Sequence, residues 1–223
     1  MKNKKVELLK KYFEEYPGVF NKVEQTYLLA HALSSKASYN DELVRELYDE
    51  LGLMPEKDNI YNSFIELLED NFDLDGKNII EVGGGHLPRL SKRLLSSNEN
   101  IGVIRVYDPK LSRYEKNTSR LKLYHHEFTE NCSHIEGTDL FIGLMPCNGT
   151  YSLVKSAVDN GKDFMVALCE GGDNGDIYDY EDRQESWLES ILTLAKKSGE
   201  VEIDYDTMAK YDDKYPIIYT KKR

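Results

Sequence analysis

A run of apolar residues that ends in three consecutive glycines constrains the fold of this chain more than any other feature. Asn78–Val82 is short, rich in β-branched residues and follows the Asp75–Gly76 turn, as is typical of a central parallel strand that is covered on both faces. Glycines at positions 83–85 permit positive φ and let a ligand lie against bare backbone. The helix predicted over 87–96 directs its first amides toward any anionic group at this turn. The stretch therefore predicts a nucleotide-type binding turn.

A second strand follows the turn and ends in an acid. The predicted strand Gly102–Asp108 ends in a carboxylate. In a parallel α/β sheet, a carboxylate at the end of the second strand accepts the hydroxyl pair of a ribose. The glycine spacing from Glu81 onward is Glu-x-Gly-x-Gly rather than Gly-x-Gly-x-x-Gly. A glycine-rich turn also occurs where a helix and a sheet merely pack closely, so a purely structural turn stays an alternative.

These residues resemble the first motifs of the class I S-adenosylmethionine-dependent methyltransferases. In that family an acid closes the first strand, a Gly-x-Gly turn follows, and an acid ends the second strand. The resemblance covers about residues 76–223 and implies S-adenosylmethionine as the cofactor and methyl transfer as the reaction. It also implies that Glu127, after the third strand, accepts a hydrogen bond from the adenine amino group. The cofactor-binding residues that it implies are Glu81, Gly83, Gly84, Gly85, His86, Asp108, Pro109, Glu127, Met145 and Pro146.

The hydrophobic periodicity predicts helices before the glycine turn and alternating strands and helices after it. The predicted helices are 4–16, 22–33, 40–51, 58–69, 87–96, 148–159 and 180–197. The predicted strands are 78–82, 102–108, 121–128, 139–145, 163–169, 201–208 and 215–221. The last two strands form an antiparallel pair, which is how the methyltransferase sheet ends. We therefore expect an α/β, Rossmann-like, seven-stranded methyltransferase sheet in the order 3-2-1-4-5-7-6, with the last strand antiparallel.

The N-terminal helices suggest a division of the chain. At 223 residues the chain suits one domain with an appendage, or two small domains. We expect a helical cap or subdomain over 1–75 and a class I methyltransferase-like domain over 76–223. Methyltransferases often attach substrate-selecting elements in this place, and helices that only cover the sheet are an equal alternative. His31 is expected to be a packed or surface histidine rather than a ligand.

Composition restricts the acceptor and the compartment. A net charge of -11 favours a small molecule or a protein over long nucleic acid, although a local group of basic residues between Arg89 and Arg120 leaves nucleic acid open. There is no apolar run of about 18 residues, and the lysine-rich start lacks the apolar segment of a signal peptide, so we expect a cytoplasmic protein with no membrane partner. The three cysteines show no Cys-x-x-Cys spacing and the histidines no helical metal-binding spacing, so no metal is expected.

The loop after the fourth strand leaves catalysis unassigned. Amino-methyltransferases place an Asn- or Asp-Pro-Pro-aromatic loop here, whereas this chain has Met145-Pro-Cys-Asn148. A non-catalytic cofactor- or nucleotide-binding protein of the same fold is therefore an alternative. A nicotinamide-dependent oxidoreductase is disfavoured by the glycine spacing and the terminal hairpin. Cys147 and Cys169, at the ends of neighbouring strands, are expected to be small buried residues rather than a redox pair.

Overall fold

The computed structural model describes residues 2–33, 44, 47–48, 50–51, 60–113, 115–168, 180–207 and 216–221. The chain divides into two compact units. The first comprises Met1–Asn59 and Ser112–Lys116, and the second comprises Ile60–Leu111 and Asn117–Arg223. Among the described helices, none combines the length and the apolar character that a membrane-spanning segment needs.

The first unit contains helices α1 (Lys2–Glu15) and α2 (Lys22–Leu33), close to the predicted ranges. Asn21 begins α2 because its Oδ1 accepts from the amides of Val23 and Glu24 at 2.9 and 3.1 Å, while its own amide donates to Glu24 Oε2 at 2.7 Å. The buried core of this unit consists of Leu9, Tyr12, Val19, Phe20, Leu28, Ala32, Val44, Leu47 and Tyr48. His31 Nδ1 lies 3.3 Å from the Tyr48 hydroxyl. The helix predicted to begin at Asn40 lies mostly outside the described residues.

The second unit is built on a seven-stranded sheet in the order β3-β2-β1-β4-β5-β7-β6. Its strands are β1 (Ile79–Val82), β2 (Ile104–Tyr107), β3 (Leu121–Tyr124), β4 (Leu140–Leu144), β5 (Asp163–Ala167), β6 (Val201–Asp204) and β7 (Ile217–Thr220). The first five strands pair in parallel, and β7 is antiparallel to both β5 and β6. The strand order and the antiparallel last strand predicted from the sequence are both confirmed.

Helices cover the two faces of the sheet. They are α3 (Ile60–Asn71), α4 (Arg89–Ser97), α5 (Gly149–Asp159) and α6 (Tyr180–Ala195), followed by a 3-10 turn at Lys196–Ser198. Residues of α3 and α4 share one core cluster with Ile79 and Val106, whereas residues of α5 and α6 share the other with Ile80 and Val82. Every residue of β1 is buried because alternate side chains enter different cores.

Several boundaries differ from the sequence prediction; β6, for example, ends at Asp204 although the strand was predicted to reach residue 208. Helix α3 belongs to the core of the sheet, since Phe64 and Leu68 are fully buried in the same cluster as Ile79. The compact units consequently divide between residues 59 and 60, not after residue 75. Strand β3 ends at Tyr124 and does not continue to Phe128, because its parallel pairing with β2 stops where β2 ends at Tyr107.

Candidate functional site

The glycine turn between β1 and α4 is closely packed against β2 and the loop after β4. Gly83 and Gly85 have φ of +82° and +65°, a region that side chains with a Cβ rarely adopt. A Cβ at Gly83 would lie 2.7 Å from the Cα of Pro146, and a Cβ at Gly84 would overlap Val106 Cγ1. Glycine is therefore needed here both for the bend and for the approach of β2 and the loop after β4.

Asp108 connects the end of β2 to the glycine turn. Its Oδ2 accepts from the Gly85 amide at 2.9 Å, and its Oδ1 accepts from the Lys110 amide at 2.6 Å. The side chain is largely buried, with 9% of its surface exposed. A carboxylate has about four lone-pair positions, so these two bonds leave acceptor capacity for ribose hydroxyls. Asp108 thus directly follows β2 and orients the backbone of the turn, while its contact with a ribose stays a prediction.

Glu81 is buried beneath the turn and bonded to the helix that follows. Its Oε2 accepts from the amide of Ser91 at 3.1 Å and from the Ser91 hydroxyl. Burial raises the pKa of the Glu81 carboxyl to about 7, the hydrogen bonds from Ser91 lower it, and repulsion from Asp108 raises it. An amide in the first turn of α4, which we expected to face a ligand anion, is therefore already bonded to a protein carboxyl. Glu81 Oε1 lies 3.8 Å from the position of a Cβ at Gly84.

The loop after β4 has an unusual backbone. Met145 and Cys147 have φ of 56° and 46°, and the Met145 amide donates to the Ala167 carbonyl at 3.0 Å. Left-handed conformations in residues other than glycine cost free energy and are concentrated at functional sites. The prediction that Cys147 is buried is wrong: the side chain is exposed, because the loop leaves the sheet before this residue. Cys169 lies outside the described residues.

The structure joins only some of the predicted residues by direct contacts. One cluster lies at the carboxyl edge of the parallel strands. It consists of the glycine turn, Asp108 and Pro146, with Glu81 below the turn. His86 follows β1 and is half-buried, while Pro109 and Glu127 follow β2 and β3 with exposed side chains. The cofactor roles of all ten predicted residues, including those of the glycine turn and Asp108, stay predictions.

Sequence reasoning missed a polar cluster on the other face of β2 and β3. The Tyr107 hydroxyl lies 2.5 Å from His134 Nδ1 and 2.9 Å from Cys132 Sγ, and the Tyr107 and Tyr124 rings stack with centroids 4.6 Å apart. Burial raises the pKa of the Tyr107 hydroxyl. Burial and the positive charge of Arg105 lower the pKa of His134. The cluster fastens the segment after β3 to the sheet, and the sequence carried no periodic signal for it.

Comparisons with known proteins add likenesses of fold. No family model and no curated protein matches this chain. A methyltransferase described as S-adenosylmethionine-dependent, from Aquifex aeolicus, is 11% identical, with a TM-score of 0.49 and coverage of 80% of this chain and 98% of that one. A chain from the complex of the Haloferax volcanii Trm112 methyltransferase activator with a putative methyltransferase is 11% identical, with a TM-score of 0.47. The match covers 83% of this chain and 96% of that one. A putative hemolysin from Streptococcus thermophilus is 11% identical, with a TM-score of 0.49 and coverage of 73% of this chain and 65% of that one. At these identities and scores, the likenesses assign no activity to this chain.

Proposed function

We propose that this chain binds S-adenosylmethionine at the turn after β1 and transfers its methyl group to a small-molecule or protein acceptor. The observation that carries the proposal is the bond from the Gly85 amide to Asp108 Oδ2, 2.9 Å long. It holds a carboxylate with spare acceptor capacity beside a bare glycine backbone, at the carboxyl edge of the sheet where ligands of open α/β folds bind. This combination suits a nucleoside whose hydroxyls are bound by a carboxylate.

The chemistry of methyl transfer places few demands on side chains. Bound at this turn, S-adenosylmethionine would supply a methyl group on a sulfonium; an acceptor lone pair would take the methyl carbon, and the electrons of the broken carbon–sulfur bond would stay on sulfur, leaving a neutral thioether. Alignment of the two reactants and exclusion of water supply much of the rate. The chain therefore needs a rigid cofactor turn more than it needs a dedicated base. The closely packed contacts of Gly83 with Pro146 and of Gly84 with Val106 provide that rigidity.

The sequence of the loop after β4 keeps the second candidate open. The loop Met145–Asn148 lacks the paired prolines and the aromatic residue of amino-methyltransferases. A protein that binds the cofactor without transferring a methyl group would have the same turn and the same Asp108 contacts. The two functions differ only in turnover, so binding and transfer must be measured separately.

Calorimetric titration tests the binding half of the proposal. We expect S-adenosylmethionine and S-adenosylhomocysteine to bind, and NAD not to bind. Asp108→Asn removes part of a charge-assisted contact worth about 1.5 to 3 kcal/mol, so the dissociation constant should rise roughly 10- to 100-fold. Asp206→Asn, which removes the same charge at an exposed position, is the matched control. An unchanged dissociation constant in Asp108→Asn would move the site elsewhere.

Transfer of a radiolabelled methyl group tests the catalytic half. The protein is incubated with the labelled cofactor and with separate small-molecule and protein fractions. We expect label in one of the two fractions, and less of it with Asp108→Asn at subsaturating cofactor. Tight cofactor binding with no labelled product in either fraction would favour the non-catalytic alternative.

A further inference from the structure

Two cationic side chains are direct neighbours on one face of the sheet. Arg105 of β2 and Lys122 of β3 are register partners in the parallel ladder. Partner residues on adjacent strands, which lie about 4.8 Å apart, direct their side chains to the same face. Both residues are half-buried. Like charges placed directly opposite each other destabilise a sheet, so this pairing requires an explanation.

Among the residues that the structure describes, no acidic side chain neutralises the two charges. Over the described ranges, neither Arg105 nor Lys122 forms an ion pair. The Nη1 atom of Arg105 is buried and has no hydrogen-bond partner there. Within the described residues, the Lys122 ammonium donates only to the carbonyl of Thr118, at 2.8 Å. Because buried donors in folded proteins nearly always have a partner, the guanidinium is suited to an external acceptor.

The next pair of register partners extends the site with neutral hydrogen-bonding groups. Tyr107 and Tyr124 stack on each other, and the ring nitrogens of His134 lie 2.5 Å and 3.3 Å from their respective hydroxyls. Tyr107 is buried, whereas Tyr124 and His134 are half-buried and reach the surface. Arg105 is close enough to lower the pKa of His134, after the larger effect of burial. The cations and the polar tips therefore form one continuous strip.

The strip lies apart from the cofactor turn. Val106, between Arg105 and Tyr107 in β2, is the residue that Gly84 approaches. Since successive side chains of a strand point to opposite faces, Arg105 and Tyr107 lie on the face of the sheet that does not contact Gly84. A ligand on the strip would be held by residues other than those of the glycine turn.

We propose that Arg105, Lys122, Tyr124 and His134 form a second binding site for the phosphate group of a small molecule. A guanidinium binds phosphate oxygens through two parallel N–H bonds, and a nearby ammonium adds a second charge. A phosphate dianion balances both cations and supplies oxygens to the hydroxyl and imidazole as well. A carboxylate carries one charge and two oxygens, which leaves one cation unneutralised. The bound phosphate removes the repulsion between Arg105 and Lys122 and gives Arg105 Nη1 an acceptor.

Titration with inorganic phosphate and, separately, with methyl phosphate, a phosphate monoester that lacks a nucleoside, tests this proposal. The protein is kept in a low-salt chloride buffer at neutral pH without S-adenosylmethionine, so the result does not depend on the proposed function. We expect millimolar or tighter binding of at least one ligand, and the stronger of the two identifies free phosphate or a phosphate monoester. Arg105→Gln should weaken binding by about tenfold or more, because it removes a charge-assisted pair. Lys122→Gln should weaken it less, and Lys197→Gln, at an exposed site on the 3-10 turn, should leave it within about twofold.

A second measurement separates binding from a role in the fold. In phosphate-free buffer, Arg105→Gln should unfold at the same denaturant concentration as the wild type or a higher one, because it removes the repulsion. The ring signals of His134 in nuclear magnetic resonance spectra should shift with phosphate in the wild type and not in Arg105→Gln. The proposal is overturned if neither ligand binds at tens of millimolar, or if Arg105→Gln binds as the wild type does. Loss of stability in that variant with unchanged phosphate binding would assign the cations to the fold and overturn it too.

Discussion

Replacing Glu81 with glutamine should change how the stability of this protein depends on pH. The carboxyl is fully buried, and one of its oxygens accepts from the amide and the hydroxyl of Ser91. A glutamine has nearly the same size, and its amide oxygen accepts from the Ser91 amide in the same way. The variant differs from the wild type mainly because position 81 no longer ionises.

The expected size of this change in the free energy of unfolding follows from the pKa of Glu81. Burial raises this pKa from its ordinary value of 4.5 to about 7 in the folded protein. The folded state therefore holds the proton more tightly than the unfolded chain does. The resulting stability is fully present below pH 4.5 and is lost as the pH rises through about 7. The interval spans about 2.5 pH units, which at about 1.4 kcal/mol per unit amounts to about 3 kcal/mol.

Urea unfolding of both proteins at a series of pH values measures the effect. The free energy of unfolding of Glu81→Gln should rise relative to the wild type by about 3 kcal/mol between pH 4.5 and about pH 8. Glu189→Gln, which removes a carboxyl from an exposed position on α6, is the matched control for the loss of charge. A difference between Glu81→Gln and the wild type that stays constant over this interval would refute the reasoning.

Three further predictions concern the same edge of the sheet. Gly83→Ala should lower the free energy of unfolding by at least about 2 kcal/mol, since it adds a clash with the Pro146 backbone to the cost of positive φ. Gly76→Ala, at a position with positive φ but open space, should lower it by about 1 kcal/mol in urea unfolding. Equal losses in the two variants would argue against the close approach of Pro146 to Gly83. Ser91→Ala should move the pH-dependent loss of stability to higher pH, because it removes the hydroxyl bond that lowers the pKa of Glu81 while the amide bond remains, and an unmoved profile would contradict this. Iodoacetamide should modify the exposed Cys147 in the native protein, as peptide mass spectrometry can show; an unlabelled Cys147 would mean that it is covered.

Much of the fold could be predicted from the sequence because its signals are local. The β-branched run of β1 and the glycines after it predicted a central strand and a sharp turn, and both are present. Alternation of strands and helices, with a terminal pair of strands, predicted the strand order of the sheet. The glycines and Asp108 directly follow predicted parallel strands, and the carboxyl ends of such strands lie at one edge of the sheet. The sequence therefore also predicted that these residues lie at that edge, as they do.

The tertiary structure alone decided which groups meet. Glu81 was predicted as a site residue from its spacing to the glycines, but its partner Ser91 becomes adjacent only when α4 packs back on β1. The pairing of Arg105 with Lys122 follows from the register of β2 and β3, and a shift of one residue would place the two cations on opposite faces. Register is set by the burial of apolar side chains from distant segments, and a pKa is set by the burial and charges that result. Neither quantity is a property of a residue's neighbours along the chain, so the sequence specifies the residue types of the site while packing determines their contacts and charges.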